Sequence, residues 1–415
     1  ARRRGNRGEV EGNGVQTCAL QIRRDDAEDI LTDRIELRRA IHAEAELGLQ
    51  NPKTLAKNKE ESAGLPLEMR EGPSTTGLIA TLKGPANGRT VLLRGDMDAL
   101  PLHEDTGLEY SSLTEGAMHA CGHDTQGAML VGGAKMLCAK RDQLAGTVQF
   151  MFQPVEEGHH GARFMLDDGL IDPLPDAAFA LHIMPNAPRG VFSGRSGPLL
   201  ASSDVLTITV KGAGGHASMP HDSIDPIPVA CEIVSAIQTM VTRKISVFNP
   251  AVITIAKISA GTTNNIIPET AHLLGTIRTL SPQSRARVAE ELHRLAPGIA
   301  AAHGCSAEVH IEQGFPVTVC DDRAVQFGKT VVEDMFGAES WLTLDTPIMG
   351  AEDFAYVLEK VPGAMFFLGA SHEGDDWRSC CGLHSNRMVL DDSVMARGAA
   401  LHAGIAERYL SEGFA

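Results

Sequence analysis

The residues best equipped for chemistry sit where apolar runs stop. TVLLRG ends in Asp96-Met97-Asp98, and TVQFMFQP is followed closely by Glu156-Glu157. AAFALHI carries His182 near its end, and Leu383-His384-Ser385 lies downstream of AMFFLGA. A fifth segment, His119-Ala120-Cys121-Gly122-His123-Asp124, precedes an apolar helical pattern. A Cys and a His two residues apart at a helix start can face one site. A thiolate suits a borderline-soft ion such as Zn(II), and imidazole and carboxylate ligands complete such a set. Cys121, His123, Glu157, His182 and His384 are therefore the expected ligands. Five protein ligands exceed the usual three of one catalytic zinc. They suit two divalent ions that share one group, and Cys121 is the expected bridge. Water held by such ions has its pKa lowered to about 7 in favourable sites. Glu156, free beside Glu157, would take the proton of that water as it attacks a carbonyl, then deliver it to the leaving nitrogen. Each feature alone is weak, since a strand His usually packs and paired Glu residues usually face solvent. Their joint placement behind apolar runs carries the reading.

Such groups converge only if a sheet brings the run ends together. In open α/β sheets, ligands bind at the carboxyl ends of strands. The runs at 76–84, 90–98, 147–152, 177–183 and 364–370 read as strands, the first two flanking the turn-like Pro85-Ala86-Asn87-Gly88. Residues 126–140 read as a helix with Asp124 as N-cap, residues 162–168 as a helix stopped by Gly169, and residues 388–410 as the closing helix. This alternation predicts an α/β fold, a mostly parallel sheet covered by helices. Between 201 and 315 the order becomes β-α-β-β-α-β, with strands at 205–212, 251–261, 269–280 and 305–314 and helices at 227–243 and 283–303. That is the pattern of a ferredoxin-like domain, here inserted into the first. The expected division is a disordered or non-native basic leader at 1–24, a catalytic domain at 25–200 and 316–415, and a lid and dimerisation domain at 201–315.

Composition removes other classes. The chain has 415 residues, enough for two or three domains at roughly 100–200 residues each. With 43% hydrophobic and 22% charged residues it is not a disordered chain. Lys plus Arg number 37 against 53 Asp plus Glu, and the net charge of −16 disfavours nucleic acid as a partner. Only 4% of residues are aromatic, too few for base-stacking platforms. No run approaches the roughly 18 apolar residues of a membrane helix, so no membrane partner is expected. Eight cysteines in a chain this long do not form a disulfide scaffold. Without a secretory signal they point to a reducing compartment, the cytoplasm. Cys138 and Cys231 lie in apolar helical patterns and are expected to be buried.

Eight segments carry a resemblance: RGDMDALP (94–101), MHACGHD (118–124), QPVEEGHHGAR (153–163), ALHIMP (180–185), GAGGHASMPH (212–221), GTTNNIIPE (261–269), MGAEDFAYVLEKVPGAMFFLGA (349–370) and LHSNR (383–387). Through them the chain, over roughly 30–412, resembles the aminoacylase/carboxypeptidase family of co-catalytic metallohydrolases. Within that family it is most similar to the branch of hippurate hydrolase, N-acyl-amino-acid amidohydrolases and indole-acetyl-amino-acid hydrolases. The resemblance implies a zinc-exopeptidase-like fold with a lid, often dimeric through that lid. It implies a metal-dependent amidohydrolase acting on N-acyl-L-amino acids with hippurate-like, aromatic or fatty acyl groups. Two divalent ions are implied, with zinc expected and manganese, cobalt or nickel as alternatives. The resemblance supports the five ligands, makes Glu156 the general base and makes Asp98 a residue that orients the site without binding metal. It also implies substrate contacts from His216, Asn264, Asn265 and Arg278, the last through a bidentate fork suited to a carboxylate.

Departures accompany the match. Other branches place a ligand His where Asp96 stands, so His123 is expected to take that duty. Relatives usually carry His-Pro-Glu where this chain has His42-Ala43-Glu44, and a second His where it has Gln126. His159-His160, just after the Glu pair, are candidates for tuning specificity. A dipeptidase or carboxypeptidase using the same metals is the alternative, and a non-catalytic metal-bound binding protein a more distant one.

Overall fold

The computed structural model describes residues 24–158 and 160–414. The leader expected at 1–24 therefore lies outside the described residues apart from its last one, and so does His159. Before the first crossing between the two sheets, the strands are β1 (Glu68–Glu71), β2 (Leu78–Lys83), β3 (Arg89–Asp96), β4 (Gly146–Gln153), β5 (Ala177–Met184), β6 (Phe192–Gly194) and β7 (Gly197–Leu200). Then come β8 (Asp204–Lys211), β9 (Gly215–His216), β10 (Ala251–Ala260), β11 (Ile266–Ile267), β12 (Thr270–Thr279) and β13 (Ser306–Gln313). The chain returns through β14 (Thr318–Cys320), β15 (Trp341–Thr343) and β16 (Gly363–Gly369). The helices are α1 (Arg24–Glu28), α2 (Leu31–Ala43), α3 (Pro52–Glu61), α4 (His123–Ala139), α5 (Gly161–Asp167), α6 (Pro226–Lys244), α7 (Pro282–Ala302), α8 (Asp322–Phe336), α9 (Ala355–Leu358) and α10 (Met395–Glu412).

Eight strands form the larger sheet, in the order β1-β2-β4-β3-β5-β16-β6-β15. Its centre, β4-β3-β5-β16, is parallel throughout. These strands are buried on both faces, which is why they read as continuous apolar runs. The strands at 78–83 and 89–96 are not partners: β4 lies between them, antiparallel to β2 and parallel to β3. The turn at 85–88 thus joins strands one place apart. Helix α4 is buried along nearly its whole length. At Gly133 an added Cβ would stand 2.9 Å from that of His402, so only glycine lets α10 approach this closely.

The chain leaves this sheet after β6; β7 and, on the return, β14 pair with each other as a separate two-stranded ribbon. Between them β10-β12-β8-β13 form a four-stranded antiparallel sheet. One face of it packs on α6 and α7 through a second apolar core that includes Leu206, Ile208, Ile233, Leu273 and Leu292. Both helices start with an acceptor cap and a proline: Asp225 accepts from the Ile227 N–H at 3.0 Å, and Ser281 from the Ser284 N–H at 3.1 Å. The other closing helix begins at Met395 rather than 388, after a loop and a short 3-10 turn.

Two expectations about single residues change. Asp124 does not cap α4: Gly122, at φ +80°, precedes the helix, and Asp124 is its second residue with a buried carboxylate. Cys231 is exposed because it falls off the face that α6 buries, and Cys138 is half-buried in the last turn of α4, past the enclosed stretch. Among the described residues no helix is long and apolar enough to cross a membrane.

Leu273 is fully buried in the second core. Leu273→Ala is expected to cost about 2–5 kcal/mol, read as a fall in the urea midpoint followed by far-ultraviolet circular dichroism.

Candidate active site

Parallel register brings the expected groups to one edge. Asp96 pairs with Gln153 at the end of β3 and β4, Arg94 pairs with Ala180, and His182 pairs with Phe367. The chain beyond β4 then reaches Val155, whose φ of +43° is costly for a β-branched residue. That turn sends Glu156 and Glu157 back over the sheet edge. The other non-glycine residue with positive φ among those described is His384, at +65°. Its backbone N–H donates to the Ala120 carbonyl at 2.8 Å, tying the 384 loop to the Cys121 segment.

Donor atoms of Cys121, His123 and His182 lie within 4.8 Å of one another, as do those of Cys121, Glu157 and His384. Cys121 belongs to both groups. His123, Glu156 and Glu157 form a further such group. His182 Nδ1 donates to the Ile183 carbonyl at 2.7 Å, leaving Nε2 facing the Cys121 Sγ at 3.4 Å. His123 Nδ1 is held by the Asp98 carbonyl at 2.9 Å and carboxylate at 3.1 Å, so its Nε2 points inward without a hydrogen-bond partner. Fixing one ring nitrogen so that the other can ligate is the usual support of a metal-binding His. Asp98 also accepts the backbone N–H groups of Glu156 and Glu157, each at 3.0 Å. His384 is half-exposed, with Nε2 3.1 Å from the Glu157 carboxylate.

Burial and charge set the protonation of these groups. Burial pushes His182 down to about 4, keeping the ring neutral as a ligand requires. It also pushes the Cys121 thiol up to about 12; an adjacent cation would reverse this. Burial opposes a charged His123 ring, but Asp96, Cys121 and Asp98 outweigh it and raise its pKa well above 6.5. Burial, then Glu352 and Glu157, raise Glu156 well above the usual carboxylate range. A thiol, imidazoles and carboxylates, several with unpartnered buried atoms, are a donor set that fits divalent ions of borderline softness.

The groups open into a cleft of about 390 Å³. Met184, Leu200, Ile348, Met365, Phe367 and Leu383 make its apolar wall, and Arg278 reaches it from β12. His216, Asn264 and Asn265 do not line it. They sit exposed where β9 and β11 pair, His216 opposite Ile266.

Two buried networks went unread in the residues. Arg94, fully buried, meets Asp96 at 2.6 Å, Glu352 at 2.7 Å, Asp353 at 3.3 Å and Gln153 at 2.9 Å. Its signal was an Arg inside an otherwise apolar strand. The second lies behind α4: Asp124 accepts from Arg38 at 2.7 Å and meets His42 Nδ1 at 2.8 Å, while His42 Nε2 meets Glu104 at 3.2 Å. His42-Ala43-Glu44-Ala45-Glu46 is therefore structural in a definite way. Glu46 caps α3, accepting from the Lys53 and Thr54 N–H groups at 3.1 and 2.9 Å.

The comparisons with known proteins agree with this geometry. The model of peptidase family M20/M25/M40 matches residues 92–408. The chain belongs to that family. It is 37% identical to thermostable carboxypeptidase 1 of Saccharolobus solfataricus over 93% of this chain and 98% of that protein. It is 36% identical to N-acetylcysteine deacetylase of Bacillus subtilis over 90% of this chain and 96% of that protein. Among solved structures, the YXEP protein of Bacillus subtilis, described as a dinuclear metal-binding peptidase of the M20 family, superposes with a TM-score of 0.81. It is 32% identical, covering 93% of this chain and 99% of that one. Like the family, this chain is a metal-dependent hydrolase of amide bonds.

The His42 network yields a pH test. Burial opposes protonation of His42, but Asp124 and Glu104 outweigh it and raise its pKa above 6.5. A raised His pKa stabilises the fold fully below the unfolded value, and the contribution is lost as pH rises through the folded value. The melting temperature of the native chain should therefore exceed that of His42→Gln most near pH 6, with the gap narrowing as pH rises through the raised pKa of His42.

Proposed function

We propose that the chain hydrolyses the amide bond of N-acyl-L-amino acids, with two divalent ions, zinc first among them, held by Cys121, His123, Glu157, His182 and His384. One observation carries this reading: the Cys121 Sγ belongs to two donor groups at once, beside Glu156 and inside the cleft. The ions, when bound, supply a nucleophilic water at neutral pH and polarise the scissile carbonyl. Glu156 accepts the proton of the attacking water and returns it to the leaving nitrogen. Burial and the carboxylates around it raise its pKa above the usual Glu range. Asp98 holds His123 and the backbone of both Glu residues still. Arg278 takes the carboxylate of the amino-acid half, and the apolar wall takes the acyl group.

Carboxypeptidase action is the second reading, since a relative so named is 37% identical. A dipeptide brings a free ammonium, which needs an uncommitted carboxylate on the acyl side. The carboxylates lining the cleft are Glu156, Glu157 and Glu352. The first two carry the roles above, and Glu352 is committed to Arg94 and to the Phe354 N–H at 2.9 Å. A blocked acyl group meets no such demand.

We infer further that a second copy covers the outer end of the β10–β12 ribbon. Ile258 and Ile266 are 51% and 54% exposed there, and His216, Asn264 and Asn265 lie on the same side lobe, away from their own cleft. Free thiols throughout the described cysteines accord with a reducing compartment, the cytoplasm.

Metal-loaded enzyme should release amino acids from N-acetyl and N-benzoyl substrates, and a chelator should stop it. Glu156→Gln should lower kcat by about 10²–10⁴-fold while mass spectrometry still counts two ions per chain; unaltered turnover would refute the assigned base. Ile258→Asp should shift sedimentation from dimer to monomer, and an unchanged coefficient would remove the proposed interface.

A further inference from the structure

Arg278 stands between two cavities. One is the cleft beside Cys121 and His182; the other, of about 230 Å³, lies at the junction of the two sheets. Arg278 is half-buried, and among the described residues it makes no ion pair.

The junction cavity is a built space with its own chemistry. Its floor is the crossing itself: the Ser203 N–H donates to the Phe315 carbonyl at 3.0 Å, and the Phe315 N–H donates to the Ser203 hydroxyl at 3.3 Å. One wall is aromatic. His160 meets Phe315 edge-on with ring centres 5.4 Å apart, and Tyr356 with centres 5.7 Å apart. The Tyr356 hydroxyl lies 2.9 Å from His160 Nδ1 and donates to the Gly314 carbonyl at 3.2 Å, which fixes that wall. Thr276 and Gln313 add neutral polar groups, and Asp204 and Glu312 add negative charge. Asp204 is spoken for, by Arg285 at 3.0 Å and by the Gly314 N–H at 3.1 Å.

We propose that the junction cavity receives the side chain of the amino acid that the reaction releases. The inference rests on the amidohydrolase reading and deepens it. An α-amino acid carries its carboxylate and its side chain on one carbon. A carboxylate on Arg278, with the scissile nitrogen toward Glu156, leaves that carbon at the boundary of the two cavities. The acyl group occupies the apolar cleft, so the side chain turns to the other side. The cavity accommodates an aromatic or long neutral side chain against His160 and Phe315. Glu312 disfavours an acidic one. His160, Thr276 and Phe315 are then specificity-determining residues.

The test holds the acyl group constant. N-benzoyl derivatives of glycine, phenylalanine, glutamine and aspartate are compared by kcat/KM with the metal-loaded full chain. Phenylalanine and glutamine should exceed glycine by about tenfold or more, with aspartate below it. Thr276→Phe, which fills the cavity, and His160→Ala, which strips its wall, should each lower the phenylalanine-to-glycine ratio by about tenfold. A flat ranking in the native chain overturns the subsite however the variants fold. So does a native ratio retained in both variants. In either case continued cleavage of benzoylglycine leaves the amidohydrolase reading intact. No chelator-sensitive release from any acylated substrate overturns that reading, and this one with it.

Discussion

The site hangs on one buried carboxylate. Asp98 accepts the N–H groups of Glu156 and Glu157 and holds His123 by its ring nitrogen. Two segments far apart in the chain are thus fixed to one side chain just beyond the central strand. Burial would push Asp98 toward its neutral form, but His123 and the two backbone donors outweigh it and keep its pKa low. These donors fill three of the roughly four acceptor positions of the carboxylate. The unfavourable backbone of Val155 follows from the same constraint, because consecutive N–H groups reach one carboxylate only if the chain turns sharply there.

A second constraint is charge. Arg94 is a single buried cation facing Asp96, Glu352 and Asp353, with Glu156 close by. Burial raises Glu352 and Asp353 as it raises Glu156, and Arg94 only partly offsets it. Such a negative excess is expensive to bury unless paired. Divalent cations beside Cys121 and Glu157 would supply the missing positive charge. The electrostatics of the sheet edge and the donor set of the cleft therefore ask for the same thing, on independent grounds.

Much of this was legible in the order of residues, and the reason is local. A strand buried on both faces must be an apolar run, and a ligand at its carboxyl end must follow that run directly. Hence β3, β4, β5 and β16 and their attached groups could be read one at a time. Pairing is not local. Nothing between Thr76 and Asp98 signals that β4, some fifty residues on, separates β2 from β3. Short β6 and β15, and the return strap β7–β14, draw their stability from neighbours rather than from their own composition. Buried polar clusters were hidden for a related reason. Arg38, His42 and Asp124 look like solvated helix residues until their partners on other segments are known. His216, Asn264 and Asn265 were visible only as motif, and motif does not say which cleft a residue serves.

Gln126 is the departure that bears most directly on the site. The family resemblance implies a His there, which as a neutral ring donates one hydrogen bond. With its amide nitrogen toward the acceptors, Gln126 donates to Asp96 and also to the Leu181 carbonyl at 3.3 Å. A primary amide has two donors, so one side chain can serve both acceptors at once. The exchange leaves Asp96 held from two directions, by Arg94 and by Gln126, while facing His123. It also adds no charge to a region already crowded with it. A protonated His at this place would have put a positive charge beside Asp96. A neutral amide leaves the charge around Asp96 unchanged. Gln126 is none of the five proposed ligands, and its exchange leaves the Asp96 carboxylate fixed by two donors.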